Sequence, residues 1–111
     1  ILGASALGDI GLHFPDTDEK WEKADSIIFL NWSLKKAKQR NLKLSNIDLT
    51  IICEKPKINS VREQLITNLS KICSLENDRI NVKATTTERL GFTGREEGIA
   101  SICSVLLYET S

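Results

Sequence analysis

Residues 80–95 of the chain read INVKATTTERLGFTGR, and this stretch decides the fold class. Apolar Ile80, Val82 and Ala84 alternate with polar side chains, which is the period of a β-strand that buries one face. After residue 85 the alternation stops, and a loop with turn-forming glycines follows. The stretch therefore predicts a strand that delivers threonine hydroxyls and a carboxylate into a loop.

The segments around this strand show helix or strand periodicity. Residues 1–7 predict the end of a helix closed by Gly8. From Ser26, a favourable N-cap residue, apolar residues recur at helical spacing for about four turns. The remaining elements are a strand at residues 47–53, a helix from Ser60 to near Cys73 and a strand at residues 98–108. This order predicts an α+β fold, a two-layer sandwich whose mixed sheet is covered by helices on one face.

The last predicted strand is apolar on both of its faces. Ala100, Ile102 and Leu106 lie on one face, and Val105 and Leu107 lie on the other. A strand of this kind is typically buried on both sides. Because the chain has too few helices to cover a second sheet face, we expect self-association with the sheets packed inward.

Composition limits the classes of function. A chain of 111 residues with 41% hydrophobic content predicts a single domain over residues 1–111. Fifteen basic and fifteen acidic residues give no net charge, which argues against a nucleic acid or a membrane surface as partner. The apolar runs are too short to cross a bilayer. Cys53, Cys73 and Cys103 show no metal-ligand spacing, so we expect reduced, mostly buried thiols in a cytosol-like compartment.

Two loops, residues 8–18 and 83–95, combine hydroxyls, a cation, a carboxylate and the free amides that a phosphate site requires. Threonine runs are also common in strands because threonine is β-branched, so composition leaves both interpretations open. Asp16 and Asp18 suit either acid–base chemistry or helix capping. His13 is the single histidine of the chain, and a hydrogen bond to backbone is a simpler role for it than that of a lone metal ligand.

Three ordered blocks carry a resemblance to a known family. They read GASALGDIG, HFPDTD and ADS at residues 3–11, 13–18 and 24–26; NIDLTII and PK at 46–52 and 56–57; and NVKATTTE, LGFTGR and EGIA at 81–88, 90–95 and 97–100. The chain thereby resembles the 2-C-methyl-D-erythritol 2,4-cyclodiphosphate synthases along essentially its whole length, and the last block is the most similar.

The resemblance implies a homotrimer with inward-facing sheets and active sites between subunits. It implies a phosphorus–oxygen lyase of the non-mevalonate route to isoprenoid precursors. The substrate would be 4-diphosphocytidyl-2-C-methyl-D-erythritol 2-phosphate, whose 2-phosphate attacks the β-phosphorus, expels CMP and closes the cyclic diphosphate. The alternative is a non-catalytic trimeric module that binds cytidine nucleotides or isoprenoid diphosphates.

The resemblance also implies roles for individual residues. Thr86 would be catalytic, by stabilising the transition state, and Glu88 would hold a magnesium-like ion between the substrate phosphates. The expected substrate-binding residues are Asp9, Ile10, Gly11, Phe14, Pro15, Asp16, Thr17, Asp18, Cys53, Glu54, Lys55, Pro56, Lys57, Ile58, Thr85, Thr86, Thr87, Glu88, Phe92 and Arg95.

The implied cofactors are zinc together with magnesium or manganese. The family's zinc ligands are an Asp-x-His pair and a further histidine, and residues 1–111 contain no counterpart of them. Because the chain begins on Ile1 rather than on methionine, we expect an upstream segment that carries these ligands. Residues 1–111 alone would then lack the zinc site, which leaves their own activity open. The expected location is the bacterial cytoplasm, or the plastid in a eukaryote.

Overall fold

The computed structural model describes residues 1–15, 17, 25–54 and 58–110. Its elements in chain order are α1 (Ile10–His13), α2 (Ser26–Gln39), β1 (Leu42–Ile52), a 3-10 turn (Ile58–Ser60), α3 (Arg62–Cys73), a second 3-10 turn (Asn77–Arg79), β2 (Ile80–Thr85), α4 (Gly91–Gly94) and β3 (Ala100–Glu109). In the described part of the chain, no helix is long and apolar enough to cross a membrane.

The three strands form one sheet in the order β2-β1-β3. Strands β1 and β2 are parallel, in a register that runs from Ile47 opposite Ile80 to Ile52 opposite Thr85. Strand β3 is antiparallel to β1, because the amide of Thr110, just after β3, donates to the carbonyl of Asn41, just before β1. The α+β class and the mixed sheet are therefore confirmed.

The chain forms two compact units, one made of Ile1–Ser45 and the stretch from Leu106 onward, the other of Asn46–Val105. In the second unit, α3 packs against β2. The core of this unit consists of Ile47, Cys53, Ile58, Cys73, Leu75, Ile80 and Val82. The alternation read from residues 80–84 thus places Ile80 and Val82 inward, as predicted. The expectation of a single domain stays a prediction.

The first unit is ordered by capping and aromatic contacts. The Asp25 carboxylate accepts from the Ile27 amide at 3.0 Å, so Asp25 rather than Ser26 is the N-cap of α2. The amide of Leu7 donates to Leu2 and that of Ala6 to Gly3, and Ala6 has φ 56°. This is the hydrogen-bond pattern of a helix C-terminus, although residues 2–6 form turns rather than a helix. The left-handed residue that closes the pattern is Ala6, and not Gly8 as predicted.

Several element boundaries differ from those predicted. Strand β1 begins at Leu42, earlier than predicted: Leu44 and Ile47 are both buried although they are three residues apart, so the alternation read from residue 47 onward changes phase in the first half of the strand. Residues 10–13 and 91–94 form short helices where loops were expected. Helix α3 begins at Arg62 and ends at Cys73, close to the predicted bounds.

In the single chain, the last strand carries exposed apolar side chains, as the expectation of self-association requires, and its burial in an assembly stays a prediction. Ile102 is 62% exposed and Leu106 is 61% exposed, and Tyr108 is also exposed. Strand β3 is an edge strand of the sheet, so its apolar side chains need a further layer for burial. The three cysteines are free, and Cys53 and Cys73 are buried whereas Cys103 is exposed.

Candidate active site

A cavity of about 310 Å³ opens in the second unit, at the carboxyl ends of β1 and β2. Since these strands are parallel, the segments that leave them begin side by side, and the Cys53 amide donates to the Thr85 carbonyl at 3.1 Å. The lining residues are Cys53, Glu54, Ile58, Asn59, Ala84, Thr85 and Thr86. The parallel pairing thus brings together two of the loops that were expected to bind substrate.

The loop after β2 makes a tight turn at Thr87–Leu90. The Leu90 amide donates to the Thr87 carbonyl at 3.0 Å, and the central residues Glu88 and Arg89 have φ values of 53° and 67°. Two residues at positive φ are what a type I′ turn requires, yet neither residue here is glycine. Left-handed backbone costs about 1–2 kcal/mol for each such residue, so other contacts must stabilise the turn.

Threonine side chains supply part of this stabilisation. The Thr87 hydroxyl donates to the Leu90 carbonyl, and its oxygen lies 3.1 Å from that of Thr93. A hydroxyl has a single hydrogen to donate, so Thr93 donates to Thr87. Thr93 is buried, at 4% exposure, which keeps this pair away from competing water.

A side chain from the other loop also contacts the turn. The Arg89 amide donates to a carboxylate oxygen of Glu54 at 3.1 Å. Hydrogen bonds to a charged acceptor are stronger than those between neutral groups. Glu54 therefore joins the loop after β1 to the loop after β2.

Gly94 permits close backbone packing beneath the turn. A Cβ atom built at this position would lie 2.2 Å from the carbonyl carbon of Arg89 and 2.6 Å from its Cα. Only a residue without a side chain fits there, so α4 packs directly on the backbone of Arg89.

Thr86 keeps a hydroxyl hydrogen available toward the cavity. Its oxygen accepts from the Glu88 amide at 3.1 Å, and its side chain is exposed. Because that hydrogen bond uses only a lone pair of the oxygen, the hydroxyl can still donate to a ligand oxygen. This arrangement suits a phosphate oxygen in the cavity.

The Glu88 carboxylate is exposed, and within the described ranges it has no hydrogen bond or ion pair. Magnesium is often held by one or two carboxylates, with water and substrate phosphates completing its octahedron. Glu88 fits that role as a single protein ligand. No three His, Cys, Asp or Glu side chains among the described residues form a metal cluster, so a zinc site does not fit these residues alone.

The remaining predicted residues of this region are less constrained. The Arg95 guanidinium forms a two-point ion pair with Glu97, at 2.8 and 3.2 Å, on an exposed surface. Phe92 is exposed as well. Lys83, the cation of the second loop, instead pairs with Asp48 at 3.0 Å on the sheet. Hydrogen bonds from Asn81 and Lys83 lower the pKa of Asp48 below its usual value.

The predicted residues of the first loop lie in the other unit. The Asp9 carboxylate accepts from the Leu12 amide at 2.9 Å and caps α1. The His13 Nε2 donates to the Leu7 carbonyl at 2.7 Å, which confirms a backbone hydrogen bond for this histidine. The Phe14 ring contacts Phe29 and Trp32 at centroid distances of 5.0 and 4.8 Å. Ile10, Gly11, Pro15 and Thr17 are exposed.

Five predicted site residues, Asp16, Asp18, Lys55, Pro56 and Lys57, lie outside the described residues. Conversely, Asn59 and Ala84 line the cavity, and Thr93 and Gly94 stabilise the turn, although the sequence analysis assigned no individual role to any of them. The alternation of apolar residues in β2 predicted where the strand ends and hence where the site lies. Contacts between loops that are far apart in the chain leave no such periodic pattern in the sequence.

Comparison with known proteins places this geometry among related chains. The model of the YgbB family matches residues 1–108. The bifunctional enzyme IspD/IspF of Rhodobacter capsulatus is 52% identical over 107 residues, 96% of this chain and 28% of the relative. The 2-C-methyl-D-erythritol 2,4-cyclodiphosphate synthase of Cereibacter sphaeroides is 50% identical over 109 residues, 98% of this chain and 69% of the relative.

Solved structures agree with the sequence relatives. The bifunctional IspDF of Campylobacter jejuni superposes with a TM-score of 0.92 at 42% identity, over 98% of this chain and 30% of that one. The CDP complex of IspF from Plasmodium falciparum superposes with a TM-score of 0.87 at 31% identity, over 99% of this chain and 65% of that one. The chain thus spans less than a third of the bifunctional relatives.

Proposed function

This chain belongs to the YgbB family, and from that membership and the geometry of the cavity we propose that the protein is a 2-C-methyl-D-erythritol 2,4-cyclodiphosphate synthase. It would act as a phosphorus–oxygen lyase in isoprenoid precursor synthesis, alone or within a longer bifunctional enzyme. The substrate would be 4-diphosphocytidyl-2-C-methyl-D-erythritol 2-phosphate, and the products the cyclic diphosphate and CMP.

The observation that carries this proposal is the pairing of the threonine-lined cavity with the turn that presents Glu88. Thr85 and Thr86 bring hydroxyl groups to the cavity, and the adjoining turn brings an exposed, unpaired carboxylate among the described residues. Hydroxyls and a metal-binding carboxylate are the groups that a diphosphate ligand needs.

The chemistry requires two phosphate groups of like charge to approach in line. The 2-phosphate oxygen forms a bond to the β-phosphorus while the bond from that phosphorus to the CMP oxygen breaks. Thr86 would donate its free hydroxyl hydrogen to a phosphate oxygen as charge develops, which stabilises the transition state. The loop after β1, which contains Cys53 and Glu54, would hold the cytidine end and so fix the distance between the reacting groups.

Glu88 would hold a magnesium or manganese ion, which when bound neutralises charge on both phosphates. The described residues do not bring together a zinc ligand set, so the expected zinc would depend on residues outside them.

We also propose a homotrimer with the sheets packed inward. Support comes from the exposed apolar side chains of β3, since Ile102 and Leu106 would otherwise face water. Residues from a second copy would then complete each site. The relatives from the bacteria Rhodobacter capsulatus and Cereibacter sphaeroides support a cytoplasmic protein, with the plastid as the eukaryotic counterpart.

The test is CMP release by the full-length protein and by its Glu88→Gln and Glu88→Ala variants, with magnesium present. We expect a loss of at least about a hundredfold in kcat for both variants, because neither side chain holds the ion. Glu76→Ala is the matched control, since Glu76 is exposed and lies outside the site. Near-normal release by the Glu88 variants would refute the role of Glu88. A wild-type protein that binds CDP without turnover would favour the non-catalytic binding module.

A further inference from the structure

The two loops of the cavity come from different strands, and a side-chain hydrogen bond joins them. Glu54 follows β1, and its carboxylate accepts from the amide of Arg89, 35 residues later in the chain, at 3.1 Å. Arg89 directly follows Glu88, the proposed metal ligand. Glu54 thus contacts the backbone that sets the direction of the Glu88 side chain.

This contact acts on a conformation that the local sequence does not favour. Glu88 and Arg89 both have positive φ, and each resists that geometry because it carries a Cβ atom. The Thr87–Thr93 pair and the close packing of Gly94 stabilise the turn from within its own loop. Glu54 stabilises it from the loop after β1, so the contribution of Glu54 depends on the position of that loop.

We infer that Glu54 is a positioning residue, which fixes the Thr87–Leu90 turn through the Arg89 amide and thereby aligns Glu88 with the end of the cavity that holds the cytidine nucleotide. This inference rests on the proposed function. Glu54 lines the cavity, but the oxygen that faces Arg89 serves the turn rather than the ligand. The alignment of metal and nucleotide is therefore built into the protein before either one binds.

Two substitutions of Glu54 distinguish the effect of its hydrogen bond from the effect of its charge. An amide side chain keeps an acceptor oxygen at the same distance from the backbone, so Glu54→Gln retains the hydrogen bond and removes the charge. Glu54→Ala removes both. Misplacement of a catalytic group by about 1 Å lowers a rate by about a hundredfold. We expect Glu54→Ala to lower kcat by about 10- to 100-fold and Glu54→Gln to restore most of that loss.

The experiment combines kinetics with the resonance of the Arg89 amide proton in the full-length protein. In Glu54→Ala this resonance should move upfield, because its acceptor is lost, and kcat should fall while the Kd for CMP changes less than about threefold. Glu54→Gln should keep a downfield resonance. Glu76→Ala should match the wild type in all three measurements. A CMP affinity that falls as steeply as kcat would show that Glu54 binds the nucleotide directly, and would overturn the inference.

The resonance also separates this inference from the proposed function. If the wild-type protein releases no CMP, the proposed reaction fails, yet the Arg89 shift still reports whether Glu54 sets the turn. An unchanged Arg89 resonance in Glu54→Ala would overturn the inference whatever the activity. A changed resonance in that variant with undiminished kcat would overturn the catalytic importance of the contact.

Discussion

Replacement of Gly94 by alanine sets two physical effects against each other. Gly94 is the last residue of the short helix α4, and alanine is favoured over glycine in helices by about 1 kcal/mol. The added Cβ, however, would lie 2.2 Å from the carbonyl carbon, 2.6 Å from Cα and 2.8 Å from the oxygen of Arg89. Since carbon atoms pack at about 3.5–4.0 Å, Arg89 must move by roughly 1 Å or more.

The obstructing atoms are backbone, so no side-chain rotation can relieve the clash. Overpacking of this kind costs about 1–3 kcal/mol, which equals or exceeds the gain in helix propensity. We therefore expect Gly94→Ala to be destabilised by up to about 2 kcal/mol net. The movement of Arg89 should also displace Glu88 and lower kcat by at least about tenfold.

The assay is urea denaturation at one fixed protein concentration, followed by CMP release under saturating substrate. Two glycines provide matched controls. Gly91 has φ 69°, but a Cβ atom built at this position would contact nothing within 4 Å. Gly91→Ala should therefore lose only the roughly 1–2 kcal/mol of stability that a side chain costs at positive φ. Gly3 has neither constraint, so Gly3→Ala should match or slightly exceed the wild type. A Gly94→Ala protein as stable and as active as Gly3→Ala would refute the close packing on Arg89.

Thr93→Val should lower the free energy of unfolding by about 1 kcal/mol and should lower kcat, because it removes the hydroxyl that donates to Thr87. The control Thr67→Val, at an exposed position, should change neither quantity, and equal losses in both variants would contradict the role of the buried hydroxyl. The pKa of Asp48 is lowered in the fold, so its contribution to stability is present at neutral pH and is lost as the pH falls below about 3.8. The difference in unfolding midpoint between wild type and Asp48→Asn should therefore disappear in acid, and a difference that persists at pH 2 would refute this. Ile102→Asp should dissociate the proposed trimer in sedimentation experiments, because it places a charge on an apolar contact, and an unchanged trimer would place the interface elsewhere.

Much of the fold followed from residue periodicity. The alternation of residues 80–84 predicted β2 and its buried face, and the spacing from residue 26 predicted α2. Helix boundaries were harder to predict, because neighbouring residues can both serve as the N-cap. Asp25 and Ser26 are both favourable N-cap residues, and Asp25 takes the position in the structure. The apolar faces of β3 indicated a covering layer that the chain has too few helices to supply, and the exposure of Ile102 and Leu106 agrees with that expectation, although the layer itself stays a prediction.

The candidate site was predictable in its residue types rather than in its contacts. Thr85, Thr86 and Glu88 were identified from the resemblance, and the fold places Thr85 and Thr86 at the cavity and Glu88 in the adjoining turn. The positive φ values at Glu88 and Arg89 could not be foreseen, since turn propensity predicts glycine or asparagine there. That conformation depends on a hydrogen bond across 35 residues, which no local pattern encodes.

The parallel register of β1 and β2 determines how insertions would affect the protein. The pairing from Ile47 opposite Ile80 to Ile52 opposite Thr85 fixes the position of Thr86 relative to the end of β1. A residue inserted within β2 would reverse the faces of all following side chains, and would shift the threonines by about 3.3 Å along the strand. Changes in length are therefore tolerable only in the connections outside this paired segment, and lineages that diverge in length should differ there first.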